Sequence, residues 1–226
     1  MLKKILGKNK RPEMYKRSYS QDGEDMMLNS VFDDLGGRAS GFFIDVGALH
    51  PYRFSNTAYF YERGWSGINI EPTPDAITFF NEVRQRDINI NCGINDVEDE
   101  LLFYVFDEPA LNSFSRSLAE ERALNPNDRI IDKIKIPVKR LDSVLDQYLK
   151  PGQHIDFLTI DVEGLDFKVL KSNNWDKYVP DFILVEEMSD LEALGKGEIH
   201  KFLKEKAYTA IGKTPRTFLY QHESVK

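Results

Sequence analysis

Residues 42–51, with the sequence FFIDVGALHP, decide the fold of this chain. The first five are apolar except for Asp45, which is typical of a buried strand in a parallel sheet. Gly47 follows at once, and ligands of open α/β sheets bind beyond the carboxyl ends of the strands. Because glycine lets the backbone come close to a bound molecule, the stretch predicts a ligand at this turn. The alternative is an ordinary strand end with a solvated aspartate.

A second acid supports the ligand. Glu71 ends another apolar run, residues 65–70, and lies 24 positions after Gly47. In nucleotide-binding folds, an acid about 20 residues past the glycine turn, at the end of the second strand, holds the ribose. A carboxylate can accept hydrogen bonds from both hydroxyls of one ribose. The pair therefore predicts an adenosine-type ligand.

Composition limits the kinds of protein to consider. The 226 residues are 41% hydrophobic and 30% charged, which predicts a single globular domain, residues 18–226. A net charge of −7 argues against a general nucleic-acid binder. No apolar run is long enough for a membrane helix, and no secretory signal is visible. The lone cysteine, Cys92, excludes an internal disulfide and predicts a cytoplasmic location.

The first 17 residues are basic, and they have two interpretations. Lysines and arginines here could make weak contact with an anionic membrane surface or a phosphorylated carrier lipid. The favoured interpretation is a flexible, solvated tail.

Strands alternate with helices along the chain, which predicts a doubly wound, mostly parallel α/β sheet. A helix capped by Ser20 precedes the first strand. Residues 107–132 are irregular and are predicted to form an insertion or lid with a short helix. Strands are predicted at 42–46, 67–71, 88–91, 101–106, 133–139, 155–160 and 182–185, followed by an antiparallel pair at 208–211 and 217–220.

Three strand ends carry acids, namely Glu71, Asp161 with Glu163, and Glu186 with Glu187. Doubly wound topology would bring these ends to one edge of the sheet. Buried carboxylates are costly unless they are paired or used, so this edge is the predicted active site.

Four motifs together resemble the FkbM-type methyltransferases, which use S-adenosylmethionine. They are SQDGEDMML, DVGALHPYRFSNTAYFYERGWSGINIEP, IPVKRLDSVL and IDFLTIDVEGLDFKVL, and they span about residues 19–187. The resemblance implies a class I methyltransferase fold with about seven main strands, the last antiparallel. It also implies O-methylation of a hydroxyl on a sugar or glycoconjugate, in cell-surface glycan or secondary-metabolite pathways. Many methyltransferases carry a second glycine in the first turn, where this chain has Leu49.

The resemblance places S-adenosylmethionine over Gly47, with its ribose on Glu71 and its adenine beside residues 92–95. The predicted cofactor-binding residues are Asp45, Gly47, Ala48, Asn56, Glu71, Cys92, Gly93, Asn95 and Asp161.

An oxygen methyltransferase needs a base, because a hydroxyl is a poor nucleophile until its proton is removed. Asp161 and Glu163 stand where such a base would be, and His50 is the other candidate because imidazole titrates near neutrality. Alternatively, Asp161 caps the next helix with Glu163 on its dipole, and His50 only holds its loop. The predicted substrate-binding residues are Gln21, Glu24 and Glu186.

A metal is a further hypothesis. Some O-methyltransferases hold magnesium with acids after the fourth and fifth strands, and Asp161, Glu186 and Glu187 occupy comparable positions. Carboxylate oxygens suit Mg²⁺. Against it, adjacent strand residues point to opposite faces, so Glu186 and Glu187 share an ion only beyond the strand end. The alternative is a metal-free site in which one glutamate binds substrate hydroxyls or a basic side chain.

Three rival functions remain open. A nitrogen or carbon methyltransferase on another small molecule would share these motifs. A nicotinamide-dependent sugar dehydrogenase or epimerase would share Gly47 and Glu71 but should carry G-x-G-x-x-G, whereas residues 45–50 read DVGALH. A non-catalytic nucleotide-binding module would not need acids at the later strand ends.

Overall fold

The computed structural model describes residues 16–188 and 196–225. The predicted basic tail therefore lies almost wholly outside the described residues. In chain order, the strands are β1 (Phe42–Val46), β2 (Ser66–Ile70), β3 (Ile88–Ile90), β4 (Gly93–Ile94), β5 (Asp99–Phe106), β6 (Ile130–Lys139), β7 (Phe157–Ile160), β8 (Phe182–Glu186), β9 (Tyr208–Lys213) and β10 (Thr217–His222). The α-helices are α1 (Glu24–Asp34), α2 (Ala58–Tyr61), α3 (Pro74–Val83), α4 (Arg116–Arg122), α5 (Leu141–Tyr148), α6 (Asp166–Lys171) and α7 (Glu198–Glu205).

Seven strands form the main sheet in the order β3-β2-β1-β7-β8-β10-β9. The strands from β3 to β8 pair in parallel, whereas β10 is antiparallel to both β8 and β9. This arrangement confirms the predicted class I methyltransferase fold. The chain leaves β1 toward β2 and later returns to β1's other side with β7, so the strand order reverses between β1 and β7. A ligand site is expected outside the carboxyl ends of these two strands.

The centre of the sheet is covered on both faces. Phe43 and Ile44 are neighbours on β1 and are both fully buried, because successive strand residues point to opposite faces. Phe43 joins an aromatic cluster that includes Phe32 of α1 and Trp65. Ile44 joins an aliphatic cluster that includes Leu145 of α5. This packing on both faces holds the ends of the central strands in place.

A second, three-stranded sheet has the order β4-β6-β5. Its β5 and β6 form an antiparallel hairpin, while β4 pairs in parallel with the end of β6. The connection between β5 and β6 contains a 3-10 turn (Pro109–Leu111) and α4. Strand β6 begins at Ile130, so the irregular part of the predicted insertion ends earlier than expected.

The first helix begins later than predicted. Gly23, with a φ of 90°, is the N-cap residue, although the Ser20 hydroxyl oxygen accepts from the N–H of Asp25 in the first turn at 3.3 Å. The same hydroxyl donates to the carboxylate of Asp25 at 2.7 Å, and that carboxylate also accepts from the backbone N–H of Tyr19 at 2.7 Å. Asp25 thus folds the preceding segment back over the start of α1.

Among the helices of the described residues, none combines the length and the apolar character that crossing a bilayer requires.

Candidate functional site

A cleft lies at the carboxyl ends of β1, β2 and β7, where the strand order reverses. Its lining includes ten residues that the sequence analysis placed in the site, and it also includes side chains from the connection between β5 and β6. The predicted residues that line it are Gln21, Asp45, Gly47, Ala48, Asn56, Glu71, Cys92, Gly93, Asp161 and Glu163.

The backbone around position 47 requires a glycine. It has a φ of 84°, and a Cβ atom at this position would overlap the backbone carbonyl oxygen of Asp161. The N–H groups of Gly47 and Ala48 both donate to the carbonyl of Ile70, at 3.0 and 3.2 Å. The turn after β1 is therefore bound to the end of β2 and packed against the turn after β7.

Glu71 holds the same turn from the other side. Its carboxylate is buried and accepts from the backbone N–H groups of Leu49 and Thr73, both at 2.8 Å. Leu49 has a φ of 53°, so this non-glycine residue takes a left-handed conformation where many methyltransferases have their second glycine. Burial raises the pKa of the Glu71 carboxyl in spite of these hydrogen bonds. Each carboxylate oxygen still has a lone pair available to a ligand.

Asp45 is buried beneath the same turn. One of its oxygens accepts from the hydroxyl of Thr57 at 2.8 Å. Burial, the main cause, raises the pKa of this carboxyl to about 6, against the opposing effects of Thr57 and Arg84. Nearby, the side-chain amide of Asn56 donates to the hydroxyl of Thr159 on β7 at 2.9 Å, which attaches the turn to a third strand.

Three carboxylates meet beside the cleft, and two of them, Asp161 and Glu163, line it. Asp161, Glu163 and Glu186 each place an oxygen within 4.8 Å of the others, and we call them the carboxylate cluster. One buried oxygen of Asp161 has no hydrogen-bond partner among residues 16–188 and 196–225. Burial, and then the charge of Glu186, raise the pKa of Asp161 well above its usual range. Burial, and then the charges of Glu163 and Asp166, raise the pKa of Glu186 to about 7.

Glu163 differs from the other two members of the cluster. It forms an ion pair with Arg122 of α4, and its backbone carbonyl accepts from the hydroxyl of Ser113 at 2.8 Å. Its φ of 54° is left-handed, which these contacts stabilise. The connection between β5 and β6 therefore holds the turn that carries the cluster.

The helix-capping interpretation of Asp161 is wrong. Asp166 bonds the backbone N–H groups ahead of α6, accepting from Val162 at 3.1 Å and Gly164 at 3.2 Å. The carboxylate of Asp161 stays free for other partners.

The structure places His50 outside the cleft. Its Nδ1 accepts from the backbone N–H groups of Tyr52 at 3.0 Å and Arg53 at 2.9 Å, and its ring packs edge-on against Phe79. Burial, and then the charge of Arg53, lower the pKa of this imidazole. The geometry corresponds to the loop-holding interpretation of His50, because the nitrogen that could accept a proton is already bonded within the turn.

Four more predicted site residues lie outside the lining of the cleft, and one of them, Glu186, is close to Asp161 and Glu163, which do line it. Glu24 is buried and accepts from the hydroxyl of Thr214 and the N–H of Asp22, at 2.7 and 2.9 Å. Asn95 accepts from the N–H of Asp96 at 2.7 Å. Glu187 packs against Gly197.

The predicted metal ligands are only partly brought together. Glu186 joins Asp161, but Glu187 is not in the cluster because it follows Glu186 directly and points elsewhere. The third member is Glu163, which Arg122 already neutralises. The group of acids that could hold an ion thus contains Glu163 in place of the predicted Glu187.

Several residues at the site were not identified from sequence. Pro109, Ala110 and Asn112 line the cleft from the connection between β5 and β6. No local pattern marks them, because their position depends on how the hairpin folds onto the main sheet. In the same connection, Phe114 packs directly on the backbone of Gly93, where a Cβ atom would lie 2.6 Å from its ring.

The sheet order and the cleft at its reversal point together define a class I methyltransferase. A family model described as the methyltransferase FkbM domain matches residues 45–210. The chain belongs to the FkbM methyltransferase family and is a methyltransferase that depends on S-adenosylmethionine.

Solved structures show weaker similarity, which concerns the fold alone. A precorrin-6y C5,15-methyltransferase from Geobacter metallireducens is 10% identical, with 87% of each chain covered and a TM-score of 0.44. A putative O-methyltransferase from Klebsiella pneumoniae is 11% identical, covering 93% of this chain and 83% of that one, with a TM-score of 0.45. Fibrillarin from Aeropyrum pernix, solved with S-adenosylmethionine, is 9% identical over 94% and 85% of the two chains, with a TM-score of 0.45. No curated protein sequence matches the chain.

Proposed function

We propose that this methyltransferase transfers the methyl group of S-adenosylmethionine to a hydroxyl of a sugar or glycoconjugate. The observation that carries the proposal is the carboxylate cluster beside the cleft, in which burial and neighbouring acids raise the pKa of Asp161 well above its usual range and that of Glu186 to about 7. Such groups can accept a proton from a hydroxyl near neutral pH. Among the rings that line the same cleft, Phe54 is 37% exposed, so a sugar could stack on it.

The donor is assigned to the part of the cleft nearest β1 and β2. Glu71 would accept from the ribose hydroxyls with the lone pairs that Leu49 and Thr73 leave free. The adenine would lie beside Cys92 and Gly93, which line the cleft at the start of β4. The sulfonium supplies an electrophilic methyl carbon and its own leaving group, so the protein has only to align the reactants and manage charge.

The proton is assigned to the pair formed by Asp161 and Glu186. Two acids within 4.8 Å of each other and largely out of water do not readily ionise together, so the pair keeps one proton between them. The ionised member takes the hydroxyl proton as the new C–O bond forms and the old C–S electron pair stays on sulfur. Glu163, paired with Arg122, orients the turn and is not the base predicted from sequence.

One other class of methyl acceptor is a close alternative to the hydroxyl. An amine acceptor would also suit an acidic cleft, because carboxylates bind ammonium groups well. The hydroxyl acceptor is favoured because an amine needs no base of raised pKa once it is unprotonated. We also propose that the reaction takes place in the cytoplasm, where the buried thiol of Cys92 remains reduced.

Two experiments test this function. Calorimetry should show that S-adenosylhomocysteine binds and that NAD does not. Tighter binding of NAD would reject the donor assignment.

The acceptor is tested with a labelled methyl donor and a panel of sugar nucleotides, glycolipids, amines, peptides and nucleic acids. Label should appear on a sugar oxygen. Label found only on nitrogen or carbon, or only on peptides or nucleic acids, would overturn the proposed acceptor.

A further inference from the structure

The side chain of Arg84 is fully buried just after α3, beneath the cleft. Its three nitrogens each have a partner. Nε donates to the carboxylate of Asp87 at 2.9 Å, one Nη donates to the backbone carbonyl of Pro51 at 3.0 Å, and the other donates to the hydroxyl of Thr57 at 3.1 Å. Arg84 is therefore bonded to two points of the turn that follows β1.

The contact with Thr57 continues to the cleft. The Thr57 hydroxyl donates its own proton to Asp45 at 2.8 Å while it accepts from Arg84. Asp45 lines the cleft, so the guanidinium acts on a residue at the ligand surface through one intervening hydroxyl. Burying a charge costs free energy, and this loop has other hydrogen bonds that hold it. A role for Arg84 beyond holding the loop is therefore expected.

The charges that face Asp45 come from several elements. Arg84 is the cation among them, and Asp87, Glu71 and Asp161 are the acids whose fields reach it. Without Arg84, Asp45 would face three acids with only Thr57 as a donor. The guanidinium thus favours the ionised form of Asp45 as well as its orientation.

We propose that Arg84 is a positioning residue for the methyl donor, which fixes Asp45 so that its carboxylate faces the ammonium group of the donor's amino-acid part. The inference rests on the proposed function. The orientation of the donor in the cleft follows from the strand order, because its adenine and ribose are assigned to the side of β2 and β4. The amino-acid part must then extend past Gly47 toward β1 and β7, where Asp45 lies.

A purely structural role for Arg84 predicts something different. If Arg84 only keeps the turn folded, its loss should weaken every adenosine-type ligand by a similar factor. If it acts through Asp45, the loss should be selective for ligands that carry the ammonium group. S-adenosylhomocysteine and 5′-methylthioadenosine share the adenosine and the sulfur, but only the first carries the amino-acid part.

The test measures the affinity of both ligands by calorimetry for the wild type, Arg84→Met and Thr57→Val. Arg86→Met is the matched control, because Arg86 is exposed, contacts Tyr61 and lines a groove at the opposite edge of the sheet. We expect the Kd of S-adenosylhomocysteine to rise about tenfold or more in Arg84→Met and Thr57→Val, with that of 5′-methylthioadenosine changing about twofold or less. Arg86→Met should leave both constants near their wild-type values.

Each other outcome has a defined meaning. Equal losses for both ligands in Thr57→Val would overturn the inference, whether or not Arg84→Met folds. If Arg84→Met does not fold, Thr57→Val decides alone, since it removes the hydroxyl and leaves the guanidinium bonded to Pro51 and Asp87. If the wild type binds neither ligand, the proposed function itself has failed. Arg84→Lys should keep part of the selectivity, because it retains the positive charge but not the three-point geometry.

Discussion

Acidic residues stand before and after strands β7 and β8, and the acids at the two ends have different partners. At the amino end, Asp156 and Asp181 precede the strands, and Arg38 pairs with both of them. Asp156 also accepts from the backbone N–H of Phe42 at 2.7 Å. At the carboxyl end, Asp161 and Glu186 stand close together, and Asp161 keeps an oxygen without a partner among the described residues.

The position of the nearest cation determines whether an acid at a strand end is held in an ion pair. Arg38 bridges the amino-end acids, and its charge offsets the free-energy cost of burying them. At the carboxyl end, Arg122 pairs with Glu163 and not with Asp161 or Glu186. Burial, and then the charges of neighbouring acids, raise the pKa values of Asp161 and Glu186, although Arg122 and Arg216 oppose the shift of Glu186. The carboxyl end therefore loses stability and gains groups that can take up a proton.

The largest effect is expected from Asp161→Asn. This substitution removes one of the two acids that share the proton, so kcat should fall by about 10²- to 10⁴-fold, the usual contribution of a general base. Affinity for S-adenosylhomocysteine should change little. Asp156→Asn, on the same strand, is the control and should keep its kcat at a temperature where it remains folded. Activity of Asp161→Asn within about threefold of the wild type would contradict the assignment.

Arg38→Met tests the amino end and should mainly reduce stability. It leaves Asp156 and Asp181 without their shared cation, and we expect the free energy of unfolding to fall by about 3 kcal/mol. Urea denaturation of the variant and the wild type measures the loss. The specific activity of the folded variant should stay at the wild-type level, and a selective loss of activity would mean that the two ends are coupled.

A smaller, pH-dependent effect is expected from Glu186→Gln. The folded protein holds the Glu186 proton up to a pKa of about 7, above the usual value of 4.5, so it binds more protons than the unfolded chain between these values. Wild-type stability should therefore decrease as the pH rises through this window, and Gln, which resembles the protonated form, should not show that share of the decrease. Denaturation should find the two proteins similar near pH 5, and the variant more stable by about 1–2 kcal/mol near pH 8. A variant that becomes less stable than the wild type as the pH rises would contradict the raised pKa.

The smallest effect is expected from His154→Gln. The Nε2 atom of His154 lies 3.0 Å from Asp181, but its side chain is 60% exposed and Arg38 already binds that acid. The free energy of unfolding should change by less than about 0.5 kcal/mol between pH 6 and 8. A loss above about 1 kcal/mol would show that Arg38 alone does not satisfy the amino end.

Much of the fold could be predicted because it depends on local pattern. The apolar run before Gly47 is β1, and the last strand is antiparallel as the family resemblance implied. The start of α1 was predicted too early, because Ser20 reaches the first turn from outside the helix, through hydrogen bonds with Asp25, while Gly23 takes the N-cap position.

The site was predicted in outline, and its chemistry was assigned less well. Asp161 and Glu186 come together because their strands are neighbours, which the alternation of strands and helices predicts. The pairing of Glu163 with Arg122 could not be predicted, because Arg122 lies 41 positions earlier in the chain, in the connection between β5 and β6. His50 has a side chain suited to proton transfer, but its Nδ1 accepts hydrogen bonds from two backbone N–H groups within its own turn.

The close contact between Gly47 and the backbone of Asp161 has a consequence for interpreting related sequences. A side chain at position 47 would collide with that carbonyl whether or not any donor is bound. A relative that has lost the ability to transfer methyl groups would thus still need glycine here to fold. The D-V-G motif is accordingly a poor guide to which members of the family are active enzymes, and the acids that follow β7 and β8 are the residues to compare.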